Sequence, residues 1–219
     1  MSFTRSEENY LKAIYHLADH GVSKVSTNAI ATRMRTKASS VTDMIKKLSD
    51  KNLVIYQKYQ GVNLTEVGQE VAVKIIRKHR LWEVFLVEKL NFGWDEVHDI
   101  AEQLEHIESE KLVDRLDEFL EFPSHDPHGD PIPDKQGEFK PSQKVVLSDV
   151  EPGSICFCVG VIDSSSKFLR YLDKNGINLG TQLKVVSKED FDKSMKIKTK
   201  GNTMVISYKI SNNLFVIVN

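Results

Sequence analysis

Cysteine is scarce in this 219-residue chain, with only Cys156 and Cys158 present. Two thiols so close together cannot form a disulfide framework, and C-x-C without further thiols lacks the partners of a zinc ribbon. Residues two apart on a strand share a face, so the pair is expected to lie side by side on one strand. Long apolar runs are missing as well: no uncharged stretch approaches the roughly 18 residues that a bilayer helix needs. The opening run Met1-Ser2-Phe3-Thr4-Arg5-Ser6-Glu7-Glu8 turns acidic where a secretory signal would be apolar, so a cytoplasmic protein without a membrane partner is expected. No H-E-x-x-H occurs, which removes the usual support for a zinc protease. Proline is absent before residue 123, and Pro123, Pro127, Pro131, Pro133 and Pro141 then cluster as an extended connector. Charge of one sign is also missing: 30 Lys and Arg face 31 Asp and Glu, a net charge of −1. Taken whole, that balance speaks against a nucleic-acid binder.

What is present is ordinary in bulk and uneven in layout. The 40% hydrophobic and 28% charged residues are those of a globular protein and exclude disordered and collagen-like classes. At roughly 150 residues per domain, the length suggests one or two domains. Residues 1–80 carry 14 Lys and Arg against 7 Asp and Glu, a balance of +7. Residues 81–140 carry 5 against 17, or −12, and residues 141–219 carry 11 against 7, or +4. His79, His98, His106, His125 and His128 lie in or beside the acidic middle. The chain therefore reads as a basic module, an acidic histidine-rich module, a linker and a small basic module, with boundaries at 1–73, 74–140 (connector included) and 141–219.

In the first module Thr4-x-x-Glu7 has the form of a capping box, and Leu11, Ile14, Tyr15 and Ala18 follow helical spacing until Gly21. Ser26 or Thr27 can cap a second, short helix through Ile30 and Met34. A third carries Val41, Met44, Ile45 and Leu48 on one stripe and leaves Ser39, Ser40, Thr42, Asp43, Lys46 and Lys47 on other faces. Leu53 to Tyr56 and Val62 to Thr65 then read as two strands joined by a basic turn containing Lys58 and Tyr59. Three helices and a two-stranded ribbon are the order of a winged helix-turn-helix. Small hydroxyls at a helix start approach base edges, and lysines neutralise phosphates, so Lys37, Ser39, Ser40, Thr42, Asp43, Lys46, Lys58 and Tyr59 are the candidate DNA-contacting residues. Asp43 is the exception in sign: facing DNA, it must accept from a cytosine amine or turn away.

The middle module reads as all helical, with a long helix from Glu66 to Leu90 and shorter ones near 95–107 and 109–121. At 100° per residue, His98, Glu102, Glu105 and His106 fall within an arc of roughly 100°, opposite Ile100, Leu104 and Ile107. His79 and Glu83 form a second pair at i, i+4 on the long helix. Carboxylates crowded in this way repel one another unless a cation is present. Imidazole and carboxylate without thiolate suit Mn, Fe(II), Co, Ni or Zn.

With those residues in view, the chain resembles the diphtheria-toxin-repressor family of metal-dependent transcriptional repressors, including its manganese-transport-regulator branch, along essentially its whole length. The stretches that carry the likeness are Glu8-Asn9-Tyr10-Leu11-Lys12-Ala13-Ile14-Tyr15, Ser39 to Leu48, Arg77-Lys78-His79-Arg80-Leu81, Val97-His98-Asp99 and Glu105-His106. The resemblance implies a mainly α protein with a winged-helix domain, a helical dimerisation domain and a C-terminal SH3-like β-barrel. It implies a homodimer that binds palindromic double-stranded operator DNA and represses metal-uptake genes, with Mn(II) or Fe(II) as co-repressor at two sites per subunit and no small organic substrate. One site would use Glu102, Glu105 and His106 with Asn9, which stands where relatives have Met or Asp. The other would use His79, Glu83 and His98. Asp126-Pro127-His128-Gly129-Asp130-Pro131-Ile132-Pro133 is similar to the C-P-H-G-x-P-I-P run of three-domain relatives, so Glu83, Asp126, His128 and Asp163 form a competing second set. Where relatives supply ligands from the last domain, Ser164 and Lys167 stand here. Glu102 in place of the thiolate of the iron-responsive branch favours Mn(II).

Two other functions are compatible with the same residues. A metallohydrolase could use the His/Glu cluster with an open coordination position, although no nucleophile or oxyanion feature stands out. A winged-helix regulator could instead respond to an organic ligand, leaving the cluster structural.

Overall fold

Up to Gln57 the described residues fold as the patterning predicts. In this computed structural model, residues 3–19, 21–57, 60–140 and 143–218 are described. Helix α1 (Arg5–Leu17) starts in a complete capping box: the Thr4 hydroxyl accepts from the Glu7 amide and the Glu7 carboxylate accepts from the Thr4 amide. Ser26 caps α2 (Thr27–Arg33) by accepting from the Ala29 amide. Arg35, at positive φ, turns the chain into α3 (Ala38–Asp50). Strands β1 (Val54–Gln57) and β2 (Gly61–Leu64) pair antiparallel with Val54 opposite Leu64, and Val25 bridges to Val62. Leu11, Ile14, Ile30, Ile45, Leu48 and Leu53 are fully buried beneath them.

The long helix α4 (Glu66–Leu90) follows without a break. Helix α5 (Val97–Leu104) is shorter than the periodicity predicts, because Glu105 and His106 already form a turn. Those two residues are thus released from the helical face on which spacing placed them beside His98 and Glu102. Helix α6 (Glu110–Phe119) completes the helical region.

Beyond the connector the chain forms β3 (Val145–Val146), a 3-10 turn (Leu147–Asp149), β4 (Ile155–Val161), α7 (Ser166–Lys174), β5 (Gln182–Lys188), β6 (Met195–Lys198), β7 (Thr203–Ile206), α8 (Tyr208–Ser211) and β8 (Leu214–Val218). The strands make one antiparallel sheet in the order β3-β8-β4-β5-β6-β7. Cys156 and Cys158 lie on one face of β4, buried among Leu169, Leu172, Leu183 and Val216, and burial pushes both thiols up to about 11. They are inert core residues, as the spacing suggests.

The chain separates into two compact units. One comprises the residues through His79 with Gln103–Ser109 and Pro133–Glu138. The other comprises Arg80–Glu102, Glu110–Ile132 and the residues from Phe139 onward.

Candidate metal centres and DNA-facing helix

On α3 the apolar stripe turns Val41, Ile45 and Leu48 inward, which fixes what faces out. Lys37, Ser39, Ser40, Asp43 and Lys46 are exposed, and Thr42 is half-buried with its hydroxyl donating back to the Ala38 carbonyl. Lys37 occupies the N-cap position without a side-chain cap bond, so the first amides of α3 stay open to an anion. Lys58 and Tyr59 lie outside the described residues.

Within the first unit, five ionisable side chains from three segments converge. Glu105 is completely buried, and its Oε2 lies 2.6 Å from His79 Nδ1 on α4. Lys12 Nζ of α1 donates to both Glu105 oxygens, at 2.7 and 2.8 Å. Beside them His106 Nδ1 lies 2.5 Å from Glu8 Oε2 of α1, and its Nε2 is 3.9 Å from Glu105 Oε1. Burial alone would raise Glu105, yet the hydrogen bond from His79 and the charge of Lys12 outweigh it and hold the carboxyl below its ordinary range. The Asn9 side-chain oxygen Oδ1, one residue after Glu8, is buried with no hydrogen-bond partner.

Spacing did not single out Glu8 or Lys12 as members of this group. For Glu8 a signal exists: Glu7 completes the capping box and pairs with Lys51 at 2.6 Å, which leaves the adjacent buried carboxylate without a local duty. For Lys12 no local signal exists, because its partner stands 93 positions later.

Within the second unit, Glu83 of α4 is the centre. Its Oε1 lies 3.5 Å from His98 Nδ1 of α5, and its Oε2 lies 3.5 Å from His128 Nδ1. His98 and Glu102 are half-exposed and 3.7 Å apart, one helical turn from each other. Glu83, Asp126 and His128 are all buried, and each offers a ligand atom within 4.8 Å of the others. Asp163 is not in that group; it lies in the loop after β4, where it accepts from the Ser165 amide.

The Asp126–Asp130 loop is shaped by its own backbone. Asp126 Oδ1 accepts from the amides of His128 and Asp130, at 2.8 and 2.9 Å. Gly129 adopts φ +82, and a Cβ there would stand 1.9 Å from the Val159 carbonyl oxygen of β4, so only glycine lets the loop lie against the sheet. The Val161 amide donates to the His128 carbonyl, which fastens the same contact. His128 Nε2 donates to the Trp94 carbonyl at 2.8 Å, and its ring stacks on the Trp94 indole. That bond leaves Nδ1 directed at Glu83, the arrangement in which an outer carbonyl orients a ligating imidazole.

Electrostatically this group differs from the first. Burial and the nearby Glu83 charge push the Asp126 carboxyl up to about 7, against the opposing pull of Arg80, whose Nε lies 3.6 Å away. Burial would lower His128, but its contact with Glu83 and the charges of Glu83 and Asp126 prevail and raise it to about 9. The Glu83, Asp126 and His128 set contains only oxygen and nitrogen donors, buried and preoriented, which fits a hard or borderline divalent cation, whereas in the Glu105 group an ammonium engages the central carboxylate.

A winged-helix protein carrying buried carboxylate and imidazole groups is the class that this fold and these clusters define. Residues 2–62 match the family model described as iron dependent repressor, N-terminal DNA binding domain, and residues 65–134 match its metal binding and dimerisation domain. Residues 145–218 match the FeoA domain. The iron-dependent repressor IdeR of Mycobacterium tuberculosis is 35% identical over 126 residues, which cover 58% of this chain and 54% of that protein. The match thus spans about half the length of that curated relative. A helix-turn-helix type transcriptional regulator of Methanocaldococcus jannaschii is 37% identical over 118 residues, covering 54% of this chain and 94% of that one. A solved manganese-dependent transcriptional repressor in complex with manganese is 33% identical, with a TM-score of 0.85, over 97% of this chain and all of that chain. The chain belongs to the iron-dependent repressor family, the diphtheria-toxin-repressor group whose motifs it carries.

Proposed function

We propose that the protein is a metal-activated transcriptional repressor that binds palindromic double-stranded operator DNA as a cytoplasmic homodimer and controls metal-uptake genes, with Mn(II) or Fe(II) as co-repressor. The observation that carries this reading is the group formed by Glu8, His79, Glu105 and His106. It joins α1, which belongs to the winged helix, to α4 and to the turn after α5. A cation held there by those residues, with Asn9 supplying its unpartnered oxygen, neutralises the buried carboxylates and ties the DNA-binding helices to the long helix. Glu83 with Asp126 and His128, or with His98, is the second ligand set, and Glu102 adds a carboxylate beside His98.

For DNA, the exposed Ser39, Ser40, Lys37 and Lys46 give α3 the groups that meet bases and phosphates, and Lys58 and Tyr59 are proposed as further contacts on their residue types alone. A ligand shifts a conformational balance only by its differential affinity, and a swing from 1:99 to 99:1 needs about 5.5 kcal/mol, within reach of two well-ligated sites. The test is operator affinity of the full chain in Mn(II) and in chelator. Affinity at least about 100-fold higher with metal is expected on that scale, and equal affinity in both conditions sinks the proposal.

A further inference from the structure

Lys12 is the residue that neither the DNA-binding nor the metal-binding reading uses. Its ammonium contacts both oxygens of a carboxylate that is completely shielded from water, at 2.7 and 2.8 Å. The lysine side chain itself retains only 13% exposure. A buried ion pair gains little over an apolar pair of the same volume, because two charges must leave water to form it. Stability alone therefore does not explain placing Glu105 and Lys12 together. The pairing makes sense if Glu105 has a second duty and Lys12 keeps its charge matched until that duty is called upon.

The hydrogen-bond inventory of Glu105 points the same way. A carboxylate offers about four lone-pair sites, and here Lys12 engages both oxygens while His79 adds a bond to Oε2. The remaining imidazole, on His106, stands 3.9 Å from Oε1. A second cation cannot take Glu105 bidentately, or even approach Oε1 closely, while the ammonium stays. Lys12 carries its charge on a flexible four-carbon stem and lies at the edge of the buried region, so it can swing outward without disturbing α1.

We propose that Lys12 is a built-in competitor of the co-repressor metal: its ammonium holds Glu105 in the metal-free protein and must leave that carboxylate before a divalent ion can take it. The inference rests on the metal-activated reading above. Its consequence is a raised threshold, because free metal has to exceed the concentration needed to displace an internal cation. The same lysine keeps the metal-free winged helix folded against α4, so the two states differ in cation and not in unfolding.

The test is calorimetric titration of the full chain with MnCl2, in a Glu83→Gln background, Glu83 being common to both arrangements of the second ligand set, so that the heats report the Glu105 group. Lys12→Gln removes the competing charge and is expected to tighten Mn(II) binding at least about fivefold, the low end of coupling between two linked ligands. The same variant is expected to melt earlier than its parent in chelator and to regain the difference in Mn(II). Lys12→Arg presents a planar fork that grips a carboxylate more firmly, so Mn(II) binding weakens at least about fivefold. If Lys12→Gln does not fold, the Lys12→Arg titration decides alone. Affinities within twofold of the parent in the folded variants overturn the proposal, as does weaker binding in Lys12→Gln, which would make Lys12 a support of the site. Absence of Mn(II) binding in the parent fails the metal reading itself, and Lys12 falls with it. Binding in the parent with no response at Lys12 fails this inference alone.

Discussion

The two donor groups of this molecule carry the same kinds of side chain and hold different cations. Around Glu105 the positive partner is a lysine, and the carboxyl sits below its ordinary range. Around Glu83 the partners are protons: His128 is held charged and Asp126 is pushed toward neutrality. The first group is assembled by helices and a turn, the second by a loop whose backbone folds Asp126 and His128 onto each other. A divalent ion entering the first must displace an ammonium, whereas one entering the second must displace protons. As the ligand sets proposed above, the two groups would respond to different signals, the first to metal against an internal charge and the second to metal against pH.

The strongest way to break that comparison is to remove each central carboxylate in turn. Glu105→Gln keeps the shape and one acceptor for Lys12 but removes the charge. Mn(II) affinity at the first group is expected to fall by about 100-fold or more, beyond the 10- to 100-fold that outer partners cost, while the second group keeps its own. Asp126→Asn should do the reverse. Calorimetry in which either variant abolishes both classes of heat shows that the groups are one site and that the contrast between them fails.

A change of pH sharpens the contrast without altering a residue. His128 binds its proton more tightly folded, at about 9, than its ordinary 6.5. Its contribution to stability is full below pH 6.5 and is lost as pH rises through about 9, so the metal-free protein should lose stability across that window. Metal takes the neutral imidazole, so affinity at the second group should rise by up to about tenfold per pH unit over the same range. Glu105 behaves oppositely: lowered from 4.5, it contributes above that value and loses the contribution only in acid. Glu105 itself therefore adds no pH dependence between pH 6.5 and 9. A melt series on the parent and on His128→Gln decides, since an unchanged slope in the variant removes His128 as the cause.

Local pattern made most of the fold legible and only part of the sites. The capping box at Thr4, the Ser26 cap, the α3 stripe and the full length of α4 follow from periodicity and turn chemistry, which act within a few residues. The early end of α5 was not legible, because Glu105 and His106 fit a helical wheel well and leave it for partners on α1 and α4. Lys12 was invisible for the same reason, its partner being remote in sequence. The loop at Asp126 could be read through its likeness to a known run, yet the need for Gly129 depends on the approach of β4. Side chains that meet across long separations are written in packing, and spacing does not record them.

The smallest expected effect tests how far the first group depends on its helix. Glu8 and Lys12 stand in the first two turns of α1, and Thr4 holds the start of that helix through its bond from the Glu7 amide at 3.3 Å. Thr4→Ala removes the cap and costs about 1 kcal/mol. Both group members lie on the stretch that then frays, so Mn(II) affinity at the first group should fall, by no more than about fivefold for that energy. Thr4→Ser, which keeps the hydroxyl, should behave as the parent. The second group draws nothing from α1, so its affinity and its pH response should not move. If Thr4→Ala weakens both groups equally, the cap acts through global stability and the two groups are not independently built. A melt that shifts without any change in first-group affinity shows instead that packing against α4 places Glu8 and Lys12 without help from the cap.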